Sequence, residues 1–292
     1  MVSVICGGLP ASLGVGLRDY PPLLTARVAR ELLGGALRVS LDLGRSEVGV
    51  EHVDGGILLP DGSLVGRGEL ERVAEQDGAA FFPRDGAILQ VALAGDHFYK
   101  LLPTGGAPTV EIDGVRMHRT WGTTPDVDAG LKLDALEVGG CRVLDTCAGL
   151  GYTALGAVGR GAELVVSVEL RPEVLRIAEL NPWSGGLIGG DVHLLLGDSF
   201  HVIESFPDAF FDCVVHDPPT LSHAGHLYGG EFYCGLSRVL RPGGRLFHYT
   251  GEPGSRFRGV DLRRGVMERL RRAGFHGLRW DDRILGVLGE RR

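Results

Sequence analysis

The sequence predicts a mixed α/β protein, with a mostly parallel sheet filling its C-terminal three-fifths behind a smaller β-rich unit. Three observations lead there. From about residue 116, short continuous apolar runs (142–145, 164–169, 193–196, 213–216 and 245–249) alternate with segments of helical period (153–158, 172–180, 231–240 and 262–273). Apolar strands separated by helices are the mark of parallel strands covered on both faces. Second, glycines and acidic residues gather just after the strand ends, where an open parallel sheet binds its ligands. Third, the preceding 115 residues follow a different pattern, which sets the expected domains at 1–115 and 116–292.

The first unit is Gly-rich. Residues 21–34 and 67–76 have helical spacing, as in Leu24, Val28 and Leu32. Short alternating runs at 37–43, 47–53, 56–59, 78–82, 87–93 and 97–102 are bounded by Asp-Gly and Gly-Gly pairs and read as hairpins. Residues 103–108 (PTGGAP) are the most linker-like stretch, and residues 283–288 would add an edge strand to the second unit.

Composition narrows the class. No apolar run reaches the ~18–20 residues that span a bilayer. The apolar opening at 2–16 has no basic segment before it, so a signal peptide is not expected. Cys6, Cys141, Cys147, Cys213 and Cys234 are odd in number and never spaced CxxC, which suggests reduced thiols and a cytoplasmic location. Of thirty basic residues only Lys100 and Lys132 are lysines, and the amides number three (Asn181, Gln76, Gln90). This usage fits a thermophile's avoidance of labile amides, and it equally fits GC-rich coding.

The net charge of −7 speaks against a protein that grips nucleic acid over its whole surface. The charge is uneven, however: residues 241–292 hold thirteen arginines against six acidic residues. Arg256, Arg258, Arg263, Arg264, Arg271 and Arg272 form either a local basic patch or a solvated helix face.

The chemistry lies at the strand ends. Val143-Leu-Asp-Thr-Cys-Ala-Gly-Leu-Gly151 runs from the first apolar strand into a helix, and Gly149 and Gly151 permit a tight turn close to a ligand. A carboxylate at Asp145 would repel a pyrophosphate but suits a cationic ligand. Val165-Val-Ser-Val-Glu169 ends the next strand in a carboxylate, 24 residues on, and Leu196-Gly-Asp-Ser-Phe200 follows the third. Phe211-Asp-Cys-Val-Val-His-Asp-Pro-Pro-Thr220 ends the fourth. An aryl amine is a poor nucleophile because its lone pair is delocalised. Acceptors at Asp217 and the Pro218 carbonyl would pyramidalise and aim it, with both prolines stiffening the cradle.

These motifs resemble those of class I methyltransferases that use S-adenosylmethionine (SAM), and the Asp-Pro-Pro stretch resembles the motif of enzymes that methylate exocyclic amino groups. The resemblance implies a Rossmann-like domain with a seven-stranded sheet. It implies SAM contacts from Asp145, Cys147, Ala148, Gly149 and Gly151, from Glu169 and Leu170 at the ribose, from Asp198 and Ser199 at the adenine, and from Thr124 in the Met117–Pro125 stretch. It implies catalytic roles for Asp217, Pro218, Pro219 and Thr220, on RNA (rRNA or tRNA) as the expected substrate, with no metal. The family usually has an aromatic residue where Thr220 stands, so base stacking would fall to Trp121, Phe232 or Tyr233. His216, His223, His226 and His248 cluster near the motif, and one of them could take the released proton.

Leu227-Tyr-Gly-Gly-Glu-Phe-Tyr233 and Arg241-Pro-Gly-Gly-Arg245 are similar to stretches of spermidine synthases. An aminopropyltransferase using decarboxylated SAM and a polyamine is therefore the alternative, with a small-molecule methyltransferase also open. The whole chain, including 248–254, resembles a family of predicted archaeal methyltransferases.

Overall fold

The computed structural model describes residues 20–251 and 262–292. The apolar opening, Cys6, Arg256, Arg258 and residues 252–254 lie outside the described residues. The described chain forms two compact units, one of residues 127–172 and 186–292, the other of residues 20–126 and 173–185.

The first unit is built on seven strands: β1 (Arg142–Asp145), β2 (Leu164–Glu169), β3 (Val192–Leu196), β4 (Phe211–His216), β5 (Leu240–Tyr249), β6 (Phe275–Asp281) and β7 (Gly286–Arg291). Their order is β3-β2-β1-β4-β5-β7-β6. Strands β1 to β5 run parallel, whereas β7 is antiparallel to both β5 and β6. Helices α1 (Pro125–Leu136), α2 (Tyr152–Gly159), α3 (Pro172–Glu179), α4 (Ser199–Val202), α5 (Gly230–Val239) and α6 (Leu262–Arg272) alternate with them in sequence, although α3 from Glu173 onward belongs to the second unit. Nearly every residue of β1, β2 and β4 is buried, so both faces of these strands are covered. Phe211, Phe232, Tyr233, Leu236 and Phe275 are core residues of this unit. The mostly parallel, Rossmann-like α/β fold expected from the sequence is the one observed.

The far edge of the sheet differs from expectation. The segment at 283–288 does not make the edge: its strand, β7, lies between β5 and β6, and β6 takes the edge. Gly286 allows this pairing, because a Cβ there would stand 2.3 Å from the Phe247 ring. Register then sets the site. Asp145 pairs with Ser167 on one side and Val215 on the other, Glu169 with Leu196, and His216 with His248. The strand order reverses between β1 and β4, the switch point at which an open α/β sheet opens a crevice.

The second unit has helices at Ala26–Leu33 and Arg67–Ala74 among short antiparallel strands, closed over Leu24, Val28, Leu32, Val39, Ile57, Val65, Leu70 and Phe81. Thr25 caps the first helix by accepting from Val28 N. The linker-like stretch 103–108 proves to be the loop of a hairpin, since Leu102 pairs with Thr109 across it. Asn181, the chain's one asparagine, is fully buried and accepts from Trp183 N, while the Trp183 indole donates to the Leu43 carbonyl.

Candidate functional site

The strand ends of the sheet unit carry the expected carboxylates. Asp145 closes β1 at 1% exposure. Its Oδ2 accepts from the Thr153 and Ser167 hydroxyls, each at 2.9 Å, and its Oδ1 accepts from Cys147 N at 3.4 Å. Burial pushes its carboxyl up to about 6 against these donors. Glu169 closes β2, with Oε2 accepting from Gly149 N at 2.8 Å and Oε1 from Arg171 N at 2.9 Å; burial lifts its carboxyl to about 7. The glycine loop is thus laced to β2, a bond that Ala148 N repeats by donating to the Val168 carbonyl at 2.8 Å. Gly149 and Gly151 have φ of 54° and 83°, and a Cβ on Gly151 would meet the Leu187 side chain at 2.6 Å.

Other predicted SAM contacts lie nearby. Cys147 is half-buried, and burial beside Asp145 and Glu169 raises its thiol well above the usual range, which makes it inert. Leu170 is 53% exposed. Asp198 caps α4 by accepting from Phe200 N, and Ser199 donates to the Thr146 carbonyl. His226 Nε2 lies 3.2 Å from Asp198 Oδ2, so this carboxylate has a histidine neighbour, a pairing that the sequence did not reveal. Thr124 belongs to the other unit, directly ahead of α1.

At the end of β4, Asp217 leaves the strand with its side chain 25% exposed, followed by a buried Pro218 and exposed Pro219 and Thr220. Its Oδ2 is held by Lys132 Nζ at 2.5 Å, and Lys132 also pairs with Asp128 at 2.6 Å. Among the described residues no donor bonds Asp217 Oδ1 or the Pro218 carbonyl. The Pro219 carbonyl accepts from the Tyr228 hydroxyl at 3.0 Å, bracing the turn from below. Thr220 Oγ1 bonds Ser222 and His223. Sequence reasoning missed Lys132 as Asp217's partner. Its trace was a rare lysine four residues after Asp128, within an otherwise largely apolar helix.

Two expectations are corrected. Phe232 and Tyr233 are 1% and 0% exposed, so neither offers a face to a base. Phe232 packs on His216 and Phe200, and the Tyr233 hydroxyl bonds His248. Trp121, at 78% exposure, lies in the other unit. The buried histidines are not proton acceptors either. His216 Nε2 must donate to the Leu227 carbonyl, so Nδ1 accepts from Thr146, and burial pushes the ring down to about 3. His248 likewise donates from Nδ1 to the Tyr249 carbonyl and accepts from Tyr233, and burial holds it well below the ordinary histidine range. Both rings are neutral braces with every nitrogen engaged.

The donor set suits SAM. Carboxylates line the glycine loop, and the Gly149 N–H that a phosphate would need is already given to Glu169. Glu169 keeps lone pairs for hydroxyls, and Asp198 stands on the next strand end.

Comparison with known proteins agrees with the fold. The family described as Conserved hypothetical protein 95 matches residues 131–225, from α1 through the Asp-Pro-Pro turn. Uncharacterized protein MJ1233 of Methanocaldococcus jannaschii is 44% identical over 273 residues, covering 91% of this chain and 94% of that protein. Polyamine aminopropyltransferase 2 of Streptomyces coelicolor is 37% identical over 98 residues, 31% of this chain and 18% of the relative. Among solved structures, a spermidine synthase in complex with the transition-state analogue AdoDATO aligns with a TM-score of 0.56 at 15% identity, over 70% of this chain and 76% of the other.

Proposed function

The chain belongs to one family with the M. jannaschii protein MJ1233, and on that premise we propose that it is a SAM-dependent methyltransferase acting on an exocyclic amino group of an RNA base. The observation that carries this reading is the acceptor pair at the end of β4. Asp217 Oδ1 and the Pro218 carbonyl are two acceptors without a donor among the described residues, on a turn stiffened by two prolines and braced by Tyr228. When bound, SAM supplies an electrophilic methyl group. Asp217 and Pro218 would accept the two N–H bonds of the substrate amine and turn its lone pair outward. The N–C bond would form as the S–C bond breaks, leaving S-adenosylhomocysteine, and the proton would pass to solvent without His216 or His248, whose ring nitrogens are all engaged. Glu169 and Asp198 would hold the ribose and adenine, and Asp145 braces the loop through Thr153 and Ser167.

The test is transfer of labelled methyl from SAM to cellular RNA lacking this enzyme's modification. RNase-sensitive label is expected with the wild type. With Asp217→Ala the label should fall by roughly a hundredfold or more while SAM still binds. Full turnover by Asp217→Ala would remove the acceptor role.

A second reading is supported by the stretch similar to polyamine aminopropyltransferase 2. In it the cofactor is decarboxylated SAM and the acceptor an aliphatic amine. A larger thermal shift with decarboxylated SAM than with SAM would select it.

A further inference from the structure

Helix α1 presents Asp128 and Lys132 at i,i+4 spacing, with side-chain exposures of 3% and 5%. The Lys132 ammonium has three N–H bonds. Two are met by Asp128 Oδ2 at 2.6 Å and Asp217 Oδ2 at 2.5 Å. The ring centroids of Tyr249 and Phe247 stand 4.9 and 5.6 Å away, a cation–π lining for the rest of the ammonium. Burial alone would push the lysine toward neutrality, but the Asp217 and Asp128 carboxylates override this and hold its proton above the ordinary range.

Such a residue is no nucleophile or base, and it is buried with two of its three donors already given to carboxylates. A buried ion pair is also poor value as a stabiliser, because desolvation offsets much of the attraction and packed apolar groups often do as well. Its effect on Asp217 is specific, however. One oxygen is consumed and the carboxylate plane is fixed, so the other oxygen is left as a single, aimed acceptor. A fixed positive charge also stands on the near side of that carboxylate, where little water screens it.

We propose that Lys132 is a positioning and specificity residue, fixing Asp217 as a one-oxygen acceptor so that the site takes a neutral amino nitrogen and refuses a protonated amine. This rests on the reading that Asp217 faces the acceptor nitrogen. A neutral aryl amine needs only acceptors for its N–H bonds and is not repelled by Lys132. An aliphatic ammonium would have to share Asp217 with the Lys132 ammonium, which touches Asp217 directly and is itself shared with Asp128.

Spermidine is the probe. Its affinity is measured by calorimetry on the full-length protein with S-adenosylhomocysteine present, in the wild type, Asp128→Asn/Lys132→Gln and Lys132→Arg. A triple variant adds Asp217→Asn to the double. Changing Asp128 and Lys132 together leaves only Asp217, at 25% exposure, without its cation, and strands no fully buried carboxylate. If that pair fails to fold, Asp128→Leu/Lys132→Met fills the same space with apolar groups and carries the same expectation. The double variant is expected to bind spermidine at least tenfold more tightly than the wild type. Lys132→Arg should behave as the wild type, and the triple variant should lose the gain. Equal affinity in wild type and double variant overturns the proposal, as does a gain that survives Asp217→Asn. This arm reads Lys132 whatever the methyl acceptor is, whereas wild-type protein that labels no RNA refutes the RNA reading alone.

Discussion

Asp145 and Glu169 sit where water is scarce, and burial holds their carboxyls up at about 6 and about 7. A carboxyl raised in the folded state favours folding while it is protonated. Its contribution is full below its unfolded value near 4 and is lost as pH rises through about 6 to 7. The ligand-free protein therefore loses stability across that window, and a ligand that needs the ionised forms restores it. In the proposed role at the ribose, Glu169 would have to be ionised to accept hydroxyls at full strength. SAM affinity is accordingly expected to weaken by roughly ten- to a hundredfold on going from about pH 8 to about pH 5.5. Calorimetry at several pH values checks this, and a flat dissociation constant would show that neither carboxyl titrates on binding. The Tyr228 hydroxyl gives a second expectation. Tyr228→Phe removes the bond that braces the Pro219 carbonyl. It should cost about 1 kcal/mol of stability and lower kcat more than it changes the KM for SAM, because it disturbs the acceptor turn and not the loop.

At the scale of elements, the glycine loop is a strap between β1 and α2, tied to β2 by Gly149 and Ala148. Gly151→Ala puts a methyl group into the Leu187 side chain and an L-residue at a φ of 83°. The strain of that backbone together with overpacking is about 2–4 kcal/mol. Thermal melting should fall by several degrees, with SAM affinity falling beside it; a variant that melts like the wild type would show that the loop relaxes freely. The same loop explains what was legible in sequence. Strands β1 and β2 were readable to their last residues, because continuous apolar runs ending in Asp145 and Glu169 leave little choice of boundary. Strand β6 was not, since its pattern mixes Arg279 and His276 with apolar residues on an edge open to solvent. With β6 unseen, β7 was placed at the edge it does not occupy. Asp217 and Pro218, the proposed acceptors, stood out through the Asp-Pro-Pro motif. Lys132 was not, because an ion pair linking residues 85 positions apart leaves no local periodicity.

At the scale of the whole molecule, the charge distribution bears on the substrate. With an acidic total of −7, the basic C-terminal segment is where the proposed RNA substrate would find positive charge. Part of that segment is committed within the fold. Arg269 donates to the Tyr228 carbonyl, Arg263 lies over the Trp280 ring at 5.1 Å, and Arg272 pairs with Glu268. Arg264 and Arg271 on α6 are exposed. Each phosphate neutralised by a cation releases counterions, so binding weakens linearly in a plot of log affinity against log salt. If α6 lies on RNA, Arg264→Ala and Arg271→Ala should each make that slope shallower by about one and weaken binding alike for all RNA sequences. Neither should alter the thermal shift with SAM, because neither belongs to the carboxylate row at the strand ends. A wild-type slope near zero would mean that no polyanion is held, and the acceptor cradle at Asp217 would then serve a small neutral amine. A steep slope that both variants leave unchanged would place the RNA on another surface of the protein.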